Sequence, residues 1–242
     1  MTLNLKFCLL HFDLLLMTLY IVATPIGNLS DLTERARQVF TTVPTVLAED
    51  TRRTAVLLRY VGATPRVWPY HRHTSSAKID SLLNQLEQGD VALVSDAGTP
   101  GVNDPGGQLV AAAVRRYGSS LKVVPVPGAS AIMAAASVSG FPMDVFTALG
   151  FPPHKKGRQT FFNEVAAKPE AMIFYESPYR VQSAVDELAK RCPERLAVIC
   201  RELTKHFETT YRGTTATLSH KLKQEKPRGE YVVVLAPLSF SS

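Results

Sequence analysis

Short β-rich runs alternate with amphipathic segments along nearly the whole chain, and this alternation restricts the sequence to α/β architectures. Ten runs read as strands, five in each half: 19–24, 46–48, 66–70, 91–95 and 122–125, then 145–150, 171–175, 196–200, 208–211 and 231–236. The segments between them repeat apolar residues at helical spacing. Ser177 with Pro178 predicts the start of one of these helices.

The 242 residues allow one large domain or two small ones, at roughly 150 residues per domain. An uncharged passage from Pro125 to Gly128, followed by small residues up to Gly140, separates the two groups of strands. We therefore predict an N-terminal α/β domain at 17–125, a junction helix at 126–139 and a C-terminal α/β domain at 140–242.

The first sixteen residues are mostly apolar, but Lys6, His11 and Asp13 interrupt them. The run is too short for a membrane span, and a poor signal peptide is one alternative. We predict instead that Met17 is the true start, because a strand-like run follows it at once. Residues 1–16 would then be a non-native or disordered extension.

The composition predicts a folded protein in a reducing compartment. With 45% hydrophobic and 20% charged residues, the chain can bury an apolar core. Its cysteines lack the spacing of a disulfide framework or a zinc site: Cys8, Cys192 and Cys200. A cytoplasmic location without membrane contact fits best.

The loop after the fourth predicted strand, Ser95 to Gly107, is the strongest local signal for a ligand site. Ligands of open α/β sheets bind beyond the carboxyl ends of the strands. Glycines allow close backbone approach, prolines stiffen the loop, and Asp96 and Asp104 would repel an anion. There is no Walker lysine and no G-x-G-x-x-G pattern, so a cationic or hydroxyl-rich ligand such as S-adenosylmethionine is favoured over a phosphate.

Basic residues are concentrated in two places. Six basic residues and no acidic residue lie between Thr51 and Ile79. The charge of this segment therefore equals the net charge of the whole chain, +6. A Gly/Pro-bounded segment adds Lys155, Lys156 and Arg158. Such clusters suit a phosphate backbone, and a solvated basic surface is the alternative. His71 and His73 have no third ligand at compatible spacing, so no metal site is predicted.

Eight motifs follow one another along the chain: Leu19-Tyr-Ile-Val-Ala-Thr-Pro-Ile-Gly-Asn-Leu29, Ala48-Glu-Asp-Thr-Arg52, Val94-Ser-Asp-Ala-Gly-Thr-Pro-Gly101, Asp104-Pro-Gly106, Pro127-Gly128, Phe174-Tyr-Glu-Ser-Pro178, Arg201-Glu-Leu-Thr-Lys205 and Gly229-Glu230. Together they resemble the RNA-modifying branch of the tetrapyrrole methylase family, from about Leu19 to Ala236. Two motifs depart from the usual family pattern. Thr51-Arg52-Arg53 stands in place of Thr-Arg-His, and His71-Arg72-His73 stands in place of His-acid-His.

The resemblance implies a two-domain α/β methyltransferase that binds S-adenosylmethionine in the cleft between the domains. It also implies a homodimer that methylates the ribose 2′-hydroxyl of a cytidine in the decoding region of 16S rRNA, either naked or in the small ribosomal subunit. By motif, the cofactor-binding residues are Pro25, Asp96, Ala97, Gly98, Thr99, Pro100, Ser130, Ala131 and Tyr175.

A ribose hydroxyl is a weak acid, so a base within hydrogen-bond reach would assist its attack. The candidates are Glu49, Asp50, His71, Glu202 and, with a depressed pKa, Lys155 or Lys205. We rank the catalytic set Glu49, Asp50 and Arg52 first, because their loop ends a central strand and places acids beside a phosphate-seeking arginine. In the alternative interpretation, Asp50 and Arg52 only pair and brace the loop.

The predicted RNA-binding residues are Arg53, His71, Arg72, Lys155, Lys156 and Arg158. Two other functions stay open on sequence alone. One is C-methylation of a porphyrin-like small molecule, which would not need the second basic cluster. The other is a non-catalytic RNA-binding or ribosome-assembly module, which would bind RNA in a salt-sensitive way without affinity for S-adenosylmethionine.

Overall fold

The computed structural model describes residues 17–240, so the predicted extension at 1–16 lies outside the described residues. The described residues form ten strands: β1 (Met17–Val22), β2 (Thr45–Ala48), β3 (Arg66–Pro69), β4 (Val91–Val94), β5 (Leu121–Val126), β6 (Phe146–Ala148), β7 (Ala171–Glu176), β8 (Leu196–Arg201), β9 (Thr209–Thr214) and β10 (Tyr231–Leu235). They also form eight α-helices: α1 (Glu34–Thr42), α2 (Thr51–Val61), α3 (Ser76–Leu83), α4 (Gly106–Tyr117), α5 (Ala131–Ser139), α6 (Arg158–Ala167), α7 (Val181–Arg191) and α8 (Thr215–Leu222). All ten predicted strands are therefore confirmed, with small shifts at their ends.

The first sheet is wholly parallel, with strand order β3-β2-β4-β1-β5. Strands β2 and β4 are buried along their whole length, which explains their continuous apolar sequences. Helices α1 and α2 cover one face, and α3 and α4 cover the other. Because all five strands run the same way, the loops that follow them meet at one edge.

The second sheet is mixed, with strand order β6-β7-β10-β8-β9. Strand β10 runs antiparallel to β7 and β8, and β6 is parallel to β7. Strands β6, β7 and β8 therefore end at the edge where β10 begins. Helices α6, α7 and α8 cover one face. Helix α5 packs on the other face through Ile132 and Ala135. It lies within the predicted junction segment 126–139 but begins only at Ala131, because β5 extends to Val126.

One predicted helix start is wrong by a few residues. Helix α7 begins at Val181 instead of Pro178, because residues 177–180 form a turn. In this turn the amides of Arg180 and Val181 donate to the Ser177 carbonyl at 3.1 and 3.0 Å. Among residues 17–240, no helix is long and apolar enough to cross a membrane.

Candidate active site

Two loops of the first sheet are fixed against each other at its carboxyl edge. The Thr24 amide donates to the Gly98 carbonyl (2.9 Å), and the Gly98 amide donates back to the Thr24 carbonyl (3.0 Å). Gly98 has a φ of +80°, in the left-handed region that favours glycine. The Thr99 hydroxyl donates to the Ala129 carbonyl (3.2 Å), which ties this loop to the loop after β5. The backbone pair of Thr24 with Gly98 and the Thr99 hydroxyl therefore hold this loop against its two neighbours.

The Asp104 side chain stabilises the same loop by hydrogen bonds to its backbone. Its Oδ1 atom accepts hydrogen bonds from the amides of Gly101 and Gly106, both at 2.7 Å. The buried Tyr70 hydroxyl donates to the Pro105 carbonyl (2.8 Å). One of the two acids that the sequence placed in this loop thus has a structural role.

The carboxyl edges of the two sheets face each other across a cavity of about 490 Å³. Its first wall comes from Ile26, Glu49, Arg53 and residues 95–99 and 102–104. Its second wall comes from Ser130, Ala131, Phe151, Cys200, Leu203, Lys205 and residues 175–178 and 230–232. A cavity of this size accommodates a small organic cofactor.

Seven of the nine predicted cofactor-binding residues line this cavity: Asp96, Ala97, Gly98, Thr99, Ser130, Ala131 and Tyr175. Pro25 instead lines a neighbouring pocket of about 100 Å³. Pro100 is buried in the turn after the cavity-lining residues. Burial raises the pKa of the Tyr175 hydroxyl, and a hydrogen bond with Asn103 opposes that rise.

Glu49 is the predicted catalytic residue that faces the cavity. Burial raises the pKa of its carboxyl, and the nearby carboxylates of Asp96 and Asp104 raise it further. A hydrogen bond from the Asp96 backbone and the charge of His71 oppose this rise. A carboxylate with a raised pKa accepts a proton more readily, which suits a general base.

Asp50 and Arg52, the other two predicted catalytic residues, form a pair that is not part of the cavity lining. Arg52 is exposed and Asp50 is half-buried. The Asp50 Oδ1 atom accepts the Arg52 amide at 2.8 Å and so caps α2, while Oδ2 lies 3.1 Å from Arg52 Nη2. Hydrogen bonds from Arg52 lower the pKa of Asp50 to about 2. These contacts match the alternative interpretation, in which the pair braces the loop, so we retain only Glu49 as a candidate base.

Most of the predicted RNA-binding residues lie at the carboxyl edges of the two sheets. Arg53 lines the cavity. His71 and Arg72 are exposed in the segment after β3, and Lys155 and Lys156 are exposed in the segment between β6 and α6. His71, Arg72, Lys155 and Lys156 are therefore exposed at the sheet edges whose loops line the cavity.

Arg158 is the exception among the predicted RNA-binding residues. Its Nη1 atom lies 3.4 Å from Glu176 Oε1, and its guanidinium lies over the Phe162 ring, 4.9 Å from the centroid. The Glu176 carboxylate is fully buried, pairs also with Arg180 (3.1 Å) and accepts the Ser177 amide (2.7 Å). Arg158 is thus a partner of a buried carboxylate, and we remove it from the proposed phosphate-binding set.

Sequence reasoning missed the role of Glu176. An acid at the end of an otherwise apolar strand was the available signal, because a carboxylate buried there needs cationic or hydrogen-bonding partners. The identity of those partners required the fold, since Arg158 and Glu176 are 18 positions apart.

The charges of Glu202, Lys205 and Glu230 form a compact cluster beside the cavity. The Lys205 Nζ atom lies 2.9 Å from both Glu202 Oε1 and Glu230 Oε2. Burial alone would lower the pKa of Lys205, but its hydrogen bonds to the two carboxylates raise it. The expectation of a depressed pKa is therefore wrong for Lys205. At Glu202, burial alone would raise the pKa, but hydrogen bonds from Lys205 and the Glu230 backbone lower it. The lowered pKa makes Glu202 a weaker base.

The cavity fits a cationic, hydroxyl-bearing ligand such as S-adenosylmethionine. The Asp96 Oδ1 atom is buried and finds no hydrogen-bond partner among residues 17–240, so it is available to a ligand donor. Apolar side chains of Ile26, Ala131 and Leu203 suit an adenine ring. No group of three or more His, Cys, Asp or Glu side chains in the described residues could hold a metal ion.

The two-sheet fold with its cavity between the sheet edges is that of a known class of methylases. The chain belongs to the tetrapyrrole (corrin/porphyrin) methylase family, whose sequence profile matches residues 18–219. It is 43% identical over 223 residues to Ribosomal RNA small subunit methyltransferase I of Xylella fastidiosa, covering 90% of this chain and 81% of the relative. It is 42% identical over 222 residues to the protein of the same name from Escherichia coli O157:H7. That alignment covers 90% of this chain and 77% of the relative.

Solved structures share the fold at lower identity. Uroporphyrin-III C-methyl transferase from Thermus thermophilus, complexed with S-adenyl homocysteine, has a TM-score of 0.63 at 19% identity, covering 90% of this chain and 97% of that chain. Cobalt precorrin-4 methyltransferase has a TM-score of 0.65 at 15% identity, and the match covers 91% of this chain and 95% of that chain. The predicted tetrapyrrole methylase fold is therefore confirmed.

Gly27, in the loop after β1, packs closely against the loop after β8. A Cβ atom at this position would lie 2.9 Å from Thr204 Oγ1 and 3.1 Å from the Leu203 carbonyl, and would also meet the Lys205 side chain. We expect Gly27→Ala to push the loops apart and weaken S-adenosylmethionine binding about tenfold, since overpacking costs about 1–3 kcal/mol. Calorimetric titration measures this. Gly107→Ala is the control, because nothing lies within 4 Å of a Cβ there; equal affinities in the two variants would contradict the prediction.

Proposed function

We propose that this chain is an S-adenosylmethionine-dependent methyltransferase that acts on the RNA of the small ribosomal subunit in the cytoplasm. The proposed acceptor is the ribose 2′-hydroxyl of a cytidine in the decoding region of 16S rRNA, and the proposed acting form is a homodimer. The observation that carries this proposal is the 42–43% identity, over 90% of the chain, to relatives named Ribosomal RNA small subunit methyltransferase I.

When bound, S-adenosylmethionine supplies a methyl group on a positively charged sulfur. The residues proposed to hold it are 96–99, Ser130, Ala131 and Tyr175, all of which line the cavity. The loop that contains 96–99 is fixed by the Thr24 and Ala129 contacts, so its groups need little rearrangement on binding.

Glu49 is the proposed general base. Its carboxylate lines the cavity, and its raised pKa favours accepting the proton of the ribose hydroxyl as the oxygen attacks. Arg53 lines the same cavity and is proposed to hold an adjacent phosphate. Asp50 and Arg52 are proposed to support this loop without touching the substrate.

Methyl transfer from labelled S-adenosylmethionine to small ribosomal subunits tests the proposal. The subunits come from a strain that lacks this enzyme, and nuclease mapping identifies the product. We expect one 2′-O-methylcytidine in the decoding region, and no incorporation into subunits that already contain it. Cofactor binding without transfer to subunits or naked rRNA would contradict the proposal, and transfer to a porphyrin-like acceptor would support the small-molecule alternative.

Lys155 and Lys156 are expected to contribute electrostatic affinity for RNA. Replacing both with alanine should reduce the slope of log Kd against log salt concentration by about 2, one for each lost phosphate contact. The control replaces Lys122 and Lys168, two exposed lysines near the amino ends of β5 and β7. Filter binding of 16S rRNA at several salt concentrations measures both slopes. An unchanged slope in the Lys155/Lys156 variant would exclude them as phosphate contacts.

A further inference from the structure

Two exposed aromatic residues follow neighbouring strands of the second sheet, Phe151 after β6 and Tyr179 after β7. The Tyr179 residue is 88% exposed and Phe151 is 58% exposed. Phe151 lines the cavity, and Tyr179 directly follows the cavity-lining Pro178. Single exposed apolar side chains are common, but two exposed aromatic residues, one in the cavity lining and one next to a lining residue, favour a role in binding.

The topology brings these rings to the same edge. Phe151 follows β6 and Tyr179 follows β7, and these strands are parallel neighbours. Their carboxyl ends therefore lie side by side. The proposed base Glu49 lines the same cavity from the first sheet.

The backbone under both rings is held in place. The Phe151 ring packs on Tyr175, with centroids 5.3 Å apart and planes inclined by 35°. Tyr179 lies in the turn 177–180, which is anchored by the ion pair of Arg180 with the buried Glu176 (3.1 Å). Arg180 also donates to the Pro152 carbonyl (3.3 Å), which joins this turn to the segment that contains Phe151. An anchored backbone lowers the entropy that these residues lose when they bind a partner.

Positive charge near the two aromatic residues indicates the class of partner that they bind. Lys155 and Lys156 are exposed in the same segment as Phe151. Aromatic rings beside cations are the usual surface for single-stranded nucleic acid, because bases stack on the rings while the cations hold the phosphates. Paired bases inside an RNA helix present no free face for such stacking.

We propose that Phe151 and Tyr179 form a stacking platform for unpaired nucleotides next to the methylated nucleoside. This proposal rests on the proposed function and specifies how the RNA is recognised: the enzyme selects an acceptor whose neighbouring bases are unstacked. The ring faces, rather than the Tyr179 hydroxyl, provide the affinity. The platform therefore acts on RNA binding. Tyr179 is not among the residues that line the cavity, so its replacement should leave S-adenosylmethionine binding unchanged.

The test compares Phe151→Ala, Tyr179→Ala and Tyr179→Phe in methyl transfer to small ribosomal subunits. The control is Tyr60→Ala, which removes an exposed tyrosine near the carboxyl end of α2. We expect each alanine variant to raise KM for subunits about five- to a hundredfold. Tyr179→Phe and Tyr60→Ala should keep the original KM. The salt dependence of RNA binding should be unchanged, because no charge is removed.

Several outcomes would overturn the proposal. An unchanged KM in both alanine variants would exclude stacking, and an equal rise in Tyr179→Phe would assign the effect to the hydroxyl. Loss of S-adenosylmethionine affinity in Phe151→Ala would place that ring in the cofactor site. A shift in oligomeric state, measured by analytical ultracentrifugation, would assign the rings to a contact between copies of the chain. Absence of methyl transfer by the unsubstituted protein would reject the proposed function itself, and that result is distinct from all of these.

Discussion

Glu49→Gln is expected to lower kcat for methyl transfer by about 10²- to 10⁴-fold, the usual contribution of a positioned general base. The amide has nearly the same shape as the carboxylate but does not accept the proton of the ribose hydroxyl. Affinity for S-adenosylmethionine should change little, because the substitution leaves the loop around Gly98 intact. Single-turnover transfer to subunits measures the loss.

The pH dependence provides a second readout for Glu49. Burial and the carboxylates of Asp96 and Asp104 raise its pKa, so the base is protonated at higher pH than an exposed glutamate. Below that raised pKa the rate of the unsubstituted enzyme should fall with decreasing pH. The acidic limb of the profile should be missing in Glu49→Gln, whose residual rate does not depend on this ionisation.

Asp50→Asn is the matched control for Glu49→Gln. It also replaces an acid in the same loop with its amide, but Asp50 does not line the cavity and is paired with Arg52. We expect kcat to stay within about threefold of the original value, since the asparagine oxygen can still cap α2. Comparable losses of kcat in both variants would reject Glu49 as the base and assign the effect to the loop.

Glu176→Ala is expected to reduce the free energy of unfolding by about 3–5 kcal/mol. The buried carboxylate neutralises Arg158 and Arg180 and accepts the Ser177 amide, so its removal leaves two largely buried guanidinium groups without their anion. Urea unfolding followed by circular dichroism measures the change. The turn after β7 should also become more susceptible to proteolysis, because the ion pair with Arg180 anchors it.

Glu87→Ala is the matched control for Glu176→Ala. Glu87 also has two partners, Arg116 (3.1 Å) and the Tyr117 hydroxyl (2.9 Å), but its side chain is 52% exposed. Solvent screening should limit its loss to about 1 kcal/mol or less. Glu176→Gln keeps the shape of the side chain and one acceptor oxygen. Its loss of unfolding free energy should therefore fall between those of Glu176→Ala and Glu87→Ala. If Glu176→Ala costs no more than Glu87→Ala, the buried network is not a major source of stability.

The strands and the site loops were predictable because their signals are local. Apolar runs bounded by turn residues identify β2 and β4 as strands, whichever elements they pack against. Once five such runs are assigned to a parallel sheet, geometry brings the loops after them to one edge. This is why most of the predicted cofactor-binding residues line one cavity.

Roles that depend on side-chain direction were not predictable in the same way. Glu49 and Asp50 are adjacent in sequence, yet one lines the cavity and the other caps α2. The pattern of acids and arginines in this loop is compatible with either assignment. The packing of β2 between its neighbours and the start of α2 at Thr51 decide which acid points inward.

The sequence by itself determined the α/β fold, the order of its strands along the chain and the loops that surround the site, because each follows from residue spacing within short segments. Only the tertiary structure decided the charge partners. Besides the nearby Glu202, the partner of Lys205 is Glu230, 25 positions away and 2.9 Å from its Nζ atom, and the two carboxylates together raise the pKa of the lysine. Arg158 is withdrawn from the surface because the buried Glu176 needs a cation. Such pairings depend on distances across the fold, and local sequence patterns contain no information about those distances.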